Sequence, residues 1–271
     1  MCLVFLNHDQ HPRYRLVMAA NRDEFYDRPT APAHFWKESP RLLAGKDLKN
    51  GGTWMGITRS GRFAALTNFR DPASVRSDAP SRGALVSDFL SDTVSPERYL
   101  NRIRRDAPGY NGFNLLTGDA SGIWYYENRT GTLEHLQAGV YGLSNRFLDT
   151  PWPKVEKGKR AFRSLCASES IDPEALFHLL ADAQQAPDGD LPDTGVGLKW
   201  ERMLLSRFIT GAIYGTRSSG ILLMDRNGET MFAERTWVPG QPGPVEAFTR
   251  SFRFTLQERP NGGPPPSLPA R

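Results

Sequence analysis

The sequence predicts an α+β fold in which antiparallel sheets are covered by helices. Strand-like segments joined by tight turns occur in three runs, and a pair of helix-like segments follows each of the first two runs. Strands and helices that alternate in groups favour antiparallel sheets, whereas a parallel sheet needs a helix after nearly every strand. With 271 residues, 39% of them hydrophobic and 24% charged, the chain can bury a sizeable core.

The first hairpin is predicted at the amino terminus. Cys2–Leu6 and Arg13–Ala20 are both apolar, and they flank a short polar stretch that contains a proline. This is the pattern of two largely buried strands joined by a turn. Because the second strand of a hairpin returns beside the start of the first, we expect Asn21, Arg22 and Asp23 to lie near Cys2.

Turn and cap residues place the other elements. Three prolines between residues 29 and 40 indicate an irregular loop, and glycine-bearing turns separate the later strands. Ser81 and Ser95 are typical helix caps. In chain order we predict the strands Thr53–Thr58 and Arg62–Asn68, helices after Ser81 and Ser95, the strands Phe113–Gly118, Ile123–Glu127, Thr132–Leu136 and Val140–Ser144, the helices Trp152–Leu165 and Pro173–Leu180, a short helix or strand entry in Lys199–Thr210, and the strands Gly220–Asp225 and Thr230–Glu234.

One domain is expected over residues 1–240, because the chain shows no internal repeat and no second boundary there. The segment 241–271 is rich in proline and glycine, and its last dozen residues are expected to be disordered. Two predicted loops, Phe25–Leu48 and Ala186–Gly197, are the stretches that we expect to line a pocket.

Composition restricts the compartment and the partners. The chain has no run of ~18 apolar residues and no secretory signal pattern, so we expect no integral membrane segment. Its two cysteines, Cys2 and Cys166, suit a reducing compartment, and a cytoplasmic location is expected. The net charge of +4 comes from dispersed arginines, so no nucleic-acid partner is expected. Oligomeric state has no signature in the sequence.

Metal and phosphate sites are not predicted. None of the five histidines forms a ligand motif with a cysteine, and His8 and His11 fall in a predicted turn. The sequence contains no phosphate loop, no GxGxxG motif after a strand and no GxSxG elbow. Candidate catalytic residues must therefore be sought outside these motifs.

Cys2 is the residue to which the sequence points. Cysteine is small enough for the initiator methionine in front of it to be removed, which would leave one residue with a thiol and a free α-amine. An isolated thiol titrates near ~8.5 and an α-amine near ~7.7–8.0, so a nucleophile and a base would share this residue. The alternative is an unprocessed Met1 followed by an incidental cysteine.

Polar residues at predicted strand ends could assist Cys2. The Asp23 carboxylate could hold the α-ammonium, and Arg22 could lower the pKa of the thiol. Asn145 follows a predicted strand and Asn68 ends one. The Asn145 side-chain amide, and the backbone or side chain of Asn68, could donate a hydrogen bond to a developing oxyanion. For both asparagines an ordinary role at a strand end is the alternative.

Several segments, taken in order, resemble one known family. They are MCLVFL at 1–6, NRDE at 21–24, GGTWMG at 51–56, LTNFR at 66–70, SRG at 81–83, YNGFNL at 110–115, GLSN at 142–145 and YGTRSS at 214–219. The set resembles the NRDE family, which includes the transport and Golgi organisation protein 2 homologues, over residues 1–237. One departure is Gly220, where the resemblance leads us to expect a threonine.

That family in turn resembles the amino-terminal-nucleophile (Ntn) hydrolases, especially the cysteine acylases that cleave penicillin V and conjugated bile salts. The resemblance implies an αββα sandwich of two antiparallel sheets between helix layers. It also implies roles for six residues: Cys2 as nucleophile, Asp23 holding its amine, Arg22 beside the thiol, Asn145 and the backbone of Asn68 as oxyanion donors, and Arg217 as a second site arginine, with Arg207 as the competing choice.

Two functions are compatible with these features. The first is hydrolysis of a non-peptide amide bond in a small molecule, which requires no cofactor. The second, which the resemblance also implies, is a non-catalytic carrier that binds and traffics haem, with Trp36, Trp54 and Phe69 lining an apolar cleft. A scaffold with neither function is a third reading. The substrate is not readable from the sequence, because loop side chains decide it.

Overall fold

The computed structural model describes residues 2–257 of the chain. Within that range the chain forms thirteen strands and five α-helices. In chain order they are β1 (Cys2–His8), β2 (Tyr14–Phe25), β3 (Thr30–Phe35), β4 (Leu42–Asp47), β5 (Met55–Thr58), β6 (Phe63–Asn68), α1 (Gly83–Ser91), α2 (Pro96–Asp106), β7 (Phe113–Asp119), β8 (Gly122–Glu127), β9 (Leu133–Leu136), β10 (Gly139–Leu143), α3 (Pro153–Leu165), α4 (Pro173–Leu180), α5 (Leu198–Leu204), β11 (Tyr214–Asp225), β12 (Glu229–Trp237) and β13 (Glu246–Thr255).

Two antiparallel sheets stack face to face. The first has six strands in the order β10-β1-β2-β11-β12-β13, and the second has seven in the order β3-β4-β5-β6-β7-β8-β9. Apolar side chains from both sheets form one buried cluster between them, with Val4, Met18 and Leu222 from the first sheet and Ile57 and Leu116 from the second. Alternate residues of each strand therefore face this shared core.

Helices cover the outer faces of the two sheets. Phe162 of α3 and Phe177 of α4 pack with Phe5 on the outer face of the first sheet. Phe89 of α1 and Leu100 of α2 join the buried cluster on the outer face of the second. The predicted α+β class, with an αββα order of layers, is confirmed. Within residues 2–257 no helix has both the length and the apolar character needed to cross a bilayer.

The predicted amino-terminal hairpin is confirmed, and its second strand is longer than expected. β1 and β2 pair antiparallel, with Cys2 opposite Arg22 and His8 opposite Leu16. We predicted that the second strand ends at Ala20, but β2 continues to Phe25. It can do so because β2 pairs with β1 on one side and β11 on the other, so its polar residues are held by backbone hydrogen bonds.

The irregular loop predicted between residues 29 and 40 is wrong for its first part, because residues 30–35 form the strand β3. β3 is the edge strand of the second sheet. A proline at an edge can leave its missing N–H on the solvent side, which explains why Pro32 is tolerated. The pairing of β3 with β4 also shifts register between Ala31 and His34.

The predicted cap residue is confirmed for one helix and wrong for another. The Ser95 side chain caps α2 by accepting a hydrogen bond from the N–H of Arg98, as predicted. The predicted cap of α1 at Ser81 is wrong by one residue, since Arg82 holds that position and makes no side-chain cap. The stretch Lys199–Thr210, predicted as a short helix or strand entry, contains all but the first residue of the helix α5.

A strand forms where composition predicted none. β13 lies in the segment 241–271 and pairs with β12, from Glu229 opposite Thr255 to Trp237 opposite Glu246. The first sheet therefore continues past residue 240, where we placed the end of the domain. Most side chains of β13 are exposed, and its pairing with β12 holds it in the sheet, while Phe252 and Phe254 pack against the core. Residues 258–271, expected to be disordered, lie outside the described residues.

Helix α3 approaches β1 closely at Gly158. A Cβ atom at this position would lie 2.2 Å from the ring of Phe5. The same ring packs on Phe162 of α3, with ring centroids 5.7 Å apart. Because β1 begins at Cys2, this contact fixes the helix against the strand that carries the cysteine.

We expect Gly158→Ala to lower the free energy of unfolding by about 1–3 kcal/mol, because the added methyl group must displace Phe5. In an open helix the same change would raise stability by about 1 kcal/mol. Gly189→Ala is the control, since a Cβ there meets nothing within 4 Å. Urea unfolding of both variants is the measurement. An unchanged or higher stability of Gly158→Ala would contradict the close approach.

Candidate active site around Cys2

An open cleft of about 230 Å³ lies at one end of the two sheets. Its walls come from the start of β1, the ends of β2 and β6, and the loops 47–54 and 76–83. These strand ends meet because antiparallel neighbours begin and end at the same edge of a sheet. Four of the six predicted site residues line the cleft: Cys2, Arg22, Asp23 and Asn68.

The Cys2 thiol is nearly buried at the wall of this cleft, with 9% of the residue exposed. Burial is the main cause that raises its pKa above the ordinary value, and the Asp23 carboxylate raises it further. The charge of Arg22 and a hydrogen bond from the backbone N–H of Asp23 act in the opposite direction. In this resting state burial is the larger effect, so the neutral thiol is favoured.

Asp23 is buried and held by the neighbouring strand β11. Its Oδ1 accepts a hydrogen bond of 2.7 Å from the Thr216 hydroxyl, and its carbonyl accepts one of 3.1 Å from the Tyr214 hydroxyl. Burial raises the pKa of Asp23, while Lys154, Arg70 and the bond from Thr216 lower it. A carboxylate in this setting is fixed in position beside Cys2.

Arg22 is also buried, with 5% of its surface exposed. Its guanidinium lies over the Trp54 ring at 4.2 Å, and its Nη1 donates to the Thr30 hydroxyl at 3.2 Å. Burial lowers the pKa of Arg22, and the Glu24 and Cys2 charges raise it. The stacking on Trp54 orients the planar group, which stays charged.

Asn145 lies behind Asn68 and binds it. The Asn145 Nδ2 donates to the Asn68 carbonyl at 3.0 Å, and the Asn145 carbonyl accepts from the Arg70 N–H at 2.7 Å. Asn145 is fully buried, and its Oδ1 accepts from Ser144 at 3.2 Å. A side-chain amide nitrogen carries two hydrogens, so a single bond to Asn68 leaves the second for another acceptor.

Arg217 and Arg207, the two candidates for the second site arginine, bind backbone carbonyls outside the cleft lining. The Nη1 of Arg217 donates to the carbonyls of Phe25, Tyr26 and Arg28, which fixes the turn after β2. Arg207 donates to the Leu179 carbonyl and pairs with Asp182 at the end of α4. Neither belongs to the cleft lining within residues 2–257. The catalytic role of Arg217 stays a prediction.

The sequence did not predict a buried cluster of charged residues that lies behind the cleft. The Arg70 Nη1 lies 2.6 Å from Oε2 of Glu201, and Lys154 donates to the Leu204 carbonyl at 2.7 Å. All three charged side chains are almost fully buried. Burial lowers the pKa of Lys154 to about 7, with Arg70 acting in the same direction. A lysine in the first turn of an amphipathic helix has the pattern of a surface residue, so no sequence signal marked it.

The three aromatic residues expected to line a haem cleft have different surroundings in the structure. Trp54 lines the cleft, whereas Trp36 is buried in the core between the second sheet and its helices. Phe69 packs edge-on against Phe147 at 5.1 Å. No histidine of the described chain lines the cleft, and no group of three potential metal ligands occurs within residues 2–257.

The chain thus has a four-layer α+β fold with a cysteine at the wall of a polar cleft. It belongs to the Transport and Golgi organisation 2 family, whose model matches residues 1–239. The Mus musculus Transport and Golgi organization 2 homolog is 38% identical over 279 residues, which cover 95% of this chain and 100% of that protein. The Drosophila melanogaster Transport and Golgi organization protein 2 is 32% identical over 265 residues, or 87% and 92% of the two chains.

The solved structures that are similar to this chain come from proteins with other names. A Caenorhabditis elegans N-acylethanolamine-hydrolyzing acid amidase ortholog is 9% identical, with a TM-score of 0.46 over 89% of this chain and 94% of that one. A mutant of the conjugated bile acid hydrolase from Clostridium perfringens is 10% identical, with a TM-score of 0.47 over 97% and 99%. Similarities at this level carry no argument about activity.

Replacing Lys154 should change how stability depends on pH. The pKa of Lys154 is lowered from 10.5 to about 7 in the folded chain, so between these values the unfolded chain binds more protons. This group therefore makes stability rise with pH across that window. We expect the difference in free energy of unfolding, wild type minus Lys154→Met, to grow by roughly 2–4 kcal/mol from pH 7 to pH 10.

Urea unfolding at several pH values measures this difference. Lys157→Met is the matched control, because Lys157 is exposed in the same helix. A difference for Lys154→Met that stays constant over the range, as expected for Lys157→Met, would contradict the lowered pKa.

Proposed function

We propose that this protein is a cysteine hydrolase that cleaves an amide carbon–nitrogen bond in a small molecule, with Cys2 as its amino-terminal nucleophile. The observation that carries the proposal is the position of the Cys2 thiol at the wall of the cleft, with Arg22 and Asp23 in the same lining. Removal of Met1 would supply the free α-amine that serves as the base.

The surroundings of Cys2 suit this division of roles. Burial raises the pKa of the thiol, so the sulfur needs a base close by before it can attack. An α-amine on the same residue is such a base, and it titrates near neutral pH. The Asp23 carboxylate, fixed by Thr216, is placed to stabilise the ammonium that forms.

The proposed reaction has two stages. The thiolate attacks the amide carbonyl carbon, and a carbon–sulfur bond forms as the carbonyl oxygen becomes an oxyanion. When the oxyanion collapses, the carbon–nitrogen bond breaks, the leaving amine takes the proton from the α-ammonium, and a thioester remains. Water then adds to the thioester while the α-amine accepts its proton. The carboxylic acid leaves, and Cys2 regains its thiol.

Asn145 and Asn68 are the residues that we assign to the oxyanion. The Asn145 amide is held in place by the Asn68 carbonyl, the Arg70 N–H and Ser144. A donor that is fixed before the reaction stabilises the transition state without reorganisation. Removing one such donor typically slows acyl transfer ~10²–10³-fold.

The cleft dimensions favour a small substrate. Pockets for drug-sized ligands usually enclose ~300–1,000 Å³. The cleft at Cys2 encloses about 230 Å³ and is open on one side. A compact amide, or the amide end of a longer molecule, fits this volume better than a large macrocycle does.

Acylation of Cys2 is the direct test. Incubation with p-nitrophenyl acetate should add one acetyl group to the wild-type chain, with the modified residue located by mass spectrometry of the peptide that contains Cys2. Cys2→Ala should gain no acetyl group, whereas Cys166→Ala should behave as wild type because Cys166 is buried in the apolar core under α3. Acetylation that persists in Cys2→Ala would overturn the nucleophile assignment.

The amino terminus of the same sample tests the proposed base. Intact mass should show that protein able to form the thioester lacks Met1. If the acylating species retains Met1, the α-amine mechanism fails even when Cys2 is the acylated residue.

A haem carrier on the same fold is the alternative prediction. Haem iron takes His, Cys, Met or Tyr as its axial ligand, and within the described chain Cys2 is the cleft-lining residue of these types. Under this alternative, haemin added to the wild type should give a shifted Soret band that Cys2→Ala loses and Cys166→Ala keeps. A Soret band like that of free haemin in all three samples would remove the alternative.

A further inference from the structure

Arginines outnumber carboxylates in the lining of the cleft. Four arginines and three carboxylates line it together with Cys2. The arginines are Arg22, Arg28, Arg76 and Arg82, and the carboxylates are Asp23, Glu24 and Asp47. The proposed hydrolase mechanism uses Asp23, and it leaves the other charged residues of the lining without a role.

The carboxylates of the cleft are already engaged. Nη2 of Arg28 lies 2.6 Å from Oδ2 of Asp47, and its Nε lies 3.8 Å from Oε2 of Glu24. Asp23 accepts from Thr216. Glu24 and Asp47 are therefore both paired with Arg28.

Three of the four arginines in the cleft lining form no ion pair with a carboxylate of the described chain. Among residues 2–257, no carboxylate oxygen lies within 4.0 Å of the side-chain nitrogens of Arg22, Arg76 or Arg82. Arg76 is exposed, so water can solvate its charge. Arg22 is buried and Arg82 is half-buried, so these two guanidinium groups lose much of their hydration, and neither gains a direct ion pair in return. The Glu24 charge raises the pKa of both arginines without such a contact.

Arg82 has hydrogen-bond donors to spare. Its Nη1 donates to the Gly112 carbonyl at 2.8 Å. A guanidinium carries five N–H groups in a rigid fork that matches carboxylate and phosphate oxygens. Arg82 and Arg22 line the same cleft as Cys2, so the two cations and the proposed nucleophile face one cavity.

The start of helix α1 adds to this environment. Ser81, Arg82 and Gly83 all line the cleft, and Arg82 is the residue that precedes the first helical turn. That turn contains no acidic residue, and no side chain caps it. The free N–H groups at the start of a helix favour an anion, and here they lie beside Arg82.

We propose that Arg82 and Arg22, with the start of α1, form an anion subsite next to Cys2 that binds a carboxylate or phosphate group of the substrate. The subsite deepens the proposed hydrolase function and rests on it: the substrate is an amide that carries an anionic oxygen group. It also gives a role to the SRG segment at 81–83, which the mechanism otherwise leaves unused.

Alkylation of Cys2 by a charged and a neutral reagent tests the subsite without any turnover. Iodoacetate and iodoacetamide both form a carbon–sulfur bond as iodide leaves, but only iodoacetate carries a carboxylate. The measured quantity is the ratio of the two alkylation rates at Cys2, followed by mass spectrometry of the peptide that contains Cys2. We expect Arg82→Gln to lower this ratio roughly fivefold or more, because one nearby positive charge is lost.

Two variants control for charge and for folding. Arg105→Gln removes the same charge from an exposed position on α2 and should leave the ratio unchanged. Arg82→Lys keeps the charge and should keep most of the ratio. An unchanged ratio in Arg82→Gln, or an equal fall in Arg105→Gln, would overturn the subsite.

A second arm separates the two anions. Acetate and inorganic phosphate are compared as protectants of Cys2 against iodoacetamide, and the stronger one identifies the preferred group. Protection that is lost in Arg82→Gln supports the subsite, and protection that persists there argues against it. Because alkylation needs neither turnover nor a free α-amine, these results stand or fall separately from acylation by p-nitrophenyl acetate.

Discussion

The antiparallel pairing of β1 with β2 is the constraint on which the candidate site depends. Its register sets Cys2 opposite Arg22, which brings Asp23 into the same cleft lining as Cys2. On its other side β2 pairs with β11, whose Thr216 lies opposite Asp23 and binds the carboxylate. A slip of one residue would move every side chain of β1 to the other face, so core packing and site geometry are specified together.

The two sheets are joined at the end where the cleft lies. Asn68 ends β6 in the second sheet, and Asn145 follows β10 in the first, so their hydrogen bond crosses between the sheets. The Arg70 N–H adds a second bond to the Asn145 carbonyl, and the Arg70 side chain pairs with buried Glu201. Breaking a buried pair of this kind costs about 3–5 kcal/mol, so the polar groups around Cys2 are part of the structure as well as of the site.

The helices and strands that have a recognisable local sequence pattern were predicted correctly. Those that lack such a pattern were not predicted. The cap at Ser95 and the apolar strands of the first hairpin leave patterns that short windows reveal. β3 and β13 are edge strands, and they contain a proline or mostly exposed side chains. Such strands form because a neighbouring strand offers its backbone, and that partner is not visible in the local sequence.

The sequence by itself determined the layered α+β fold and the cluster of Cys2, Arg22 and Asp23, because one hairpin register brings these residues together. Tertiary structure alone decided the rest. The Arg217 side chain donates to three carbonyls of the turn after β2, Lys154 is buried against the Leu204 carbonyl, and Arg82, just before α1, lines the cleft. The direction of a long charged side chain depends on partners far along the chain, and only the packed sheets and helices bring those partners within reach.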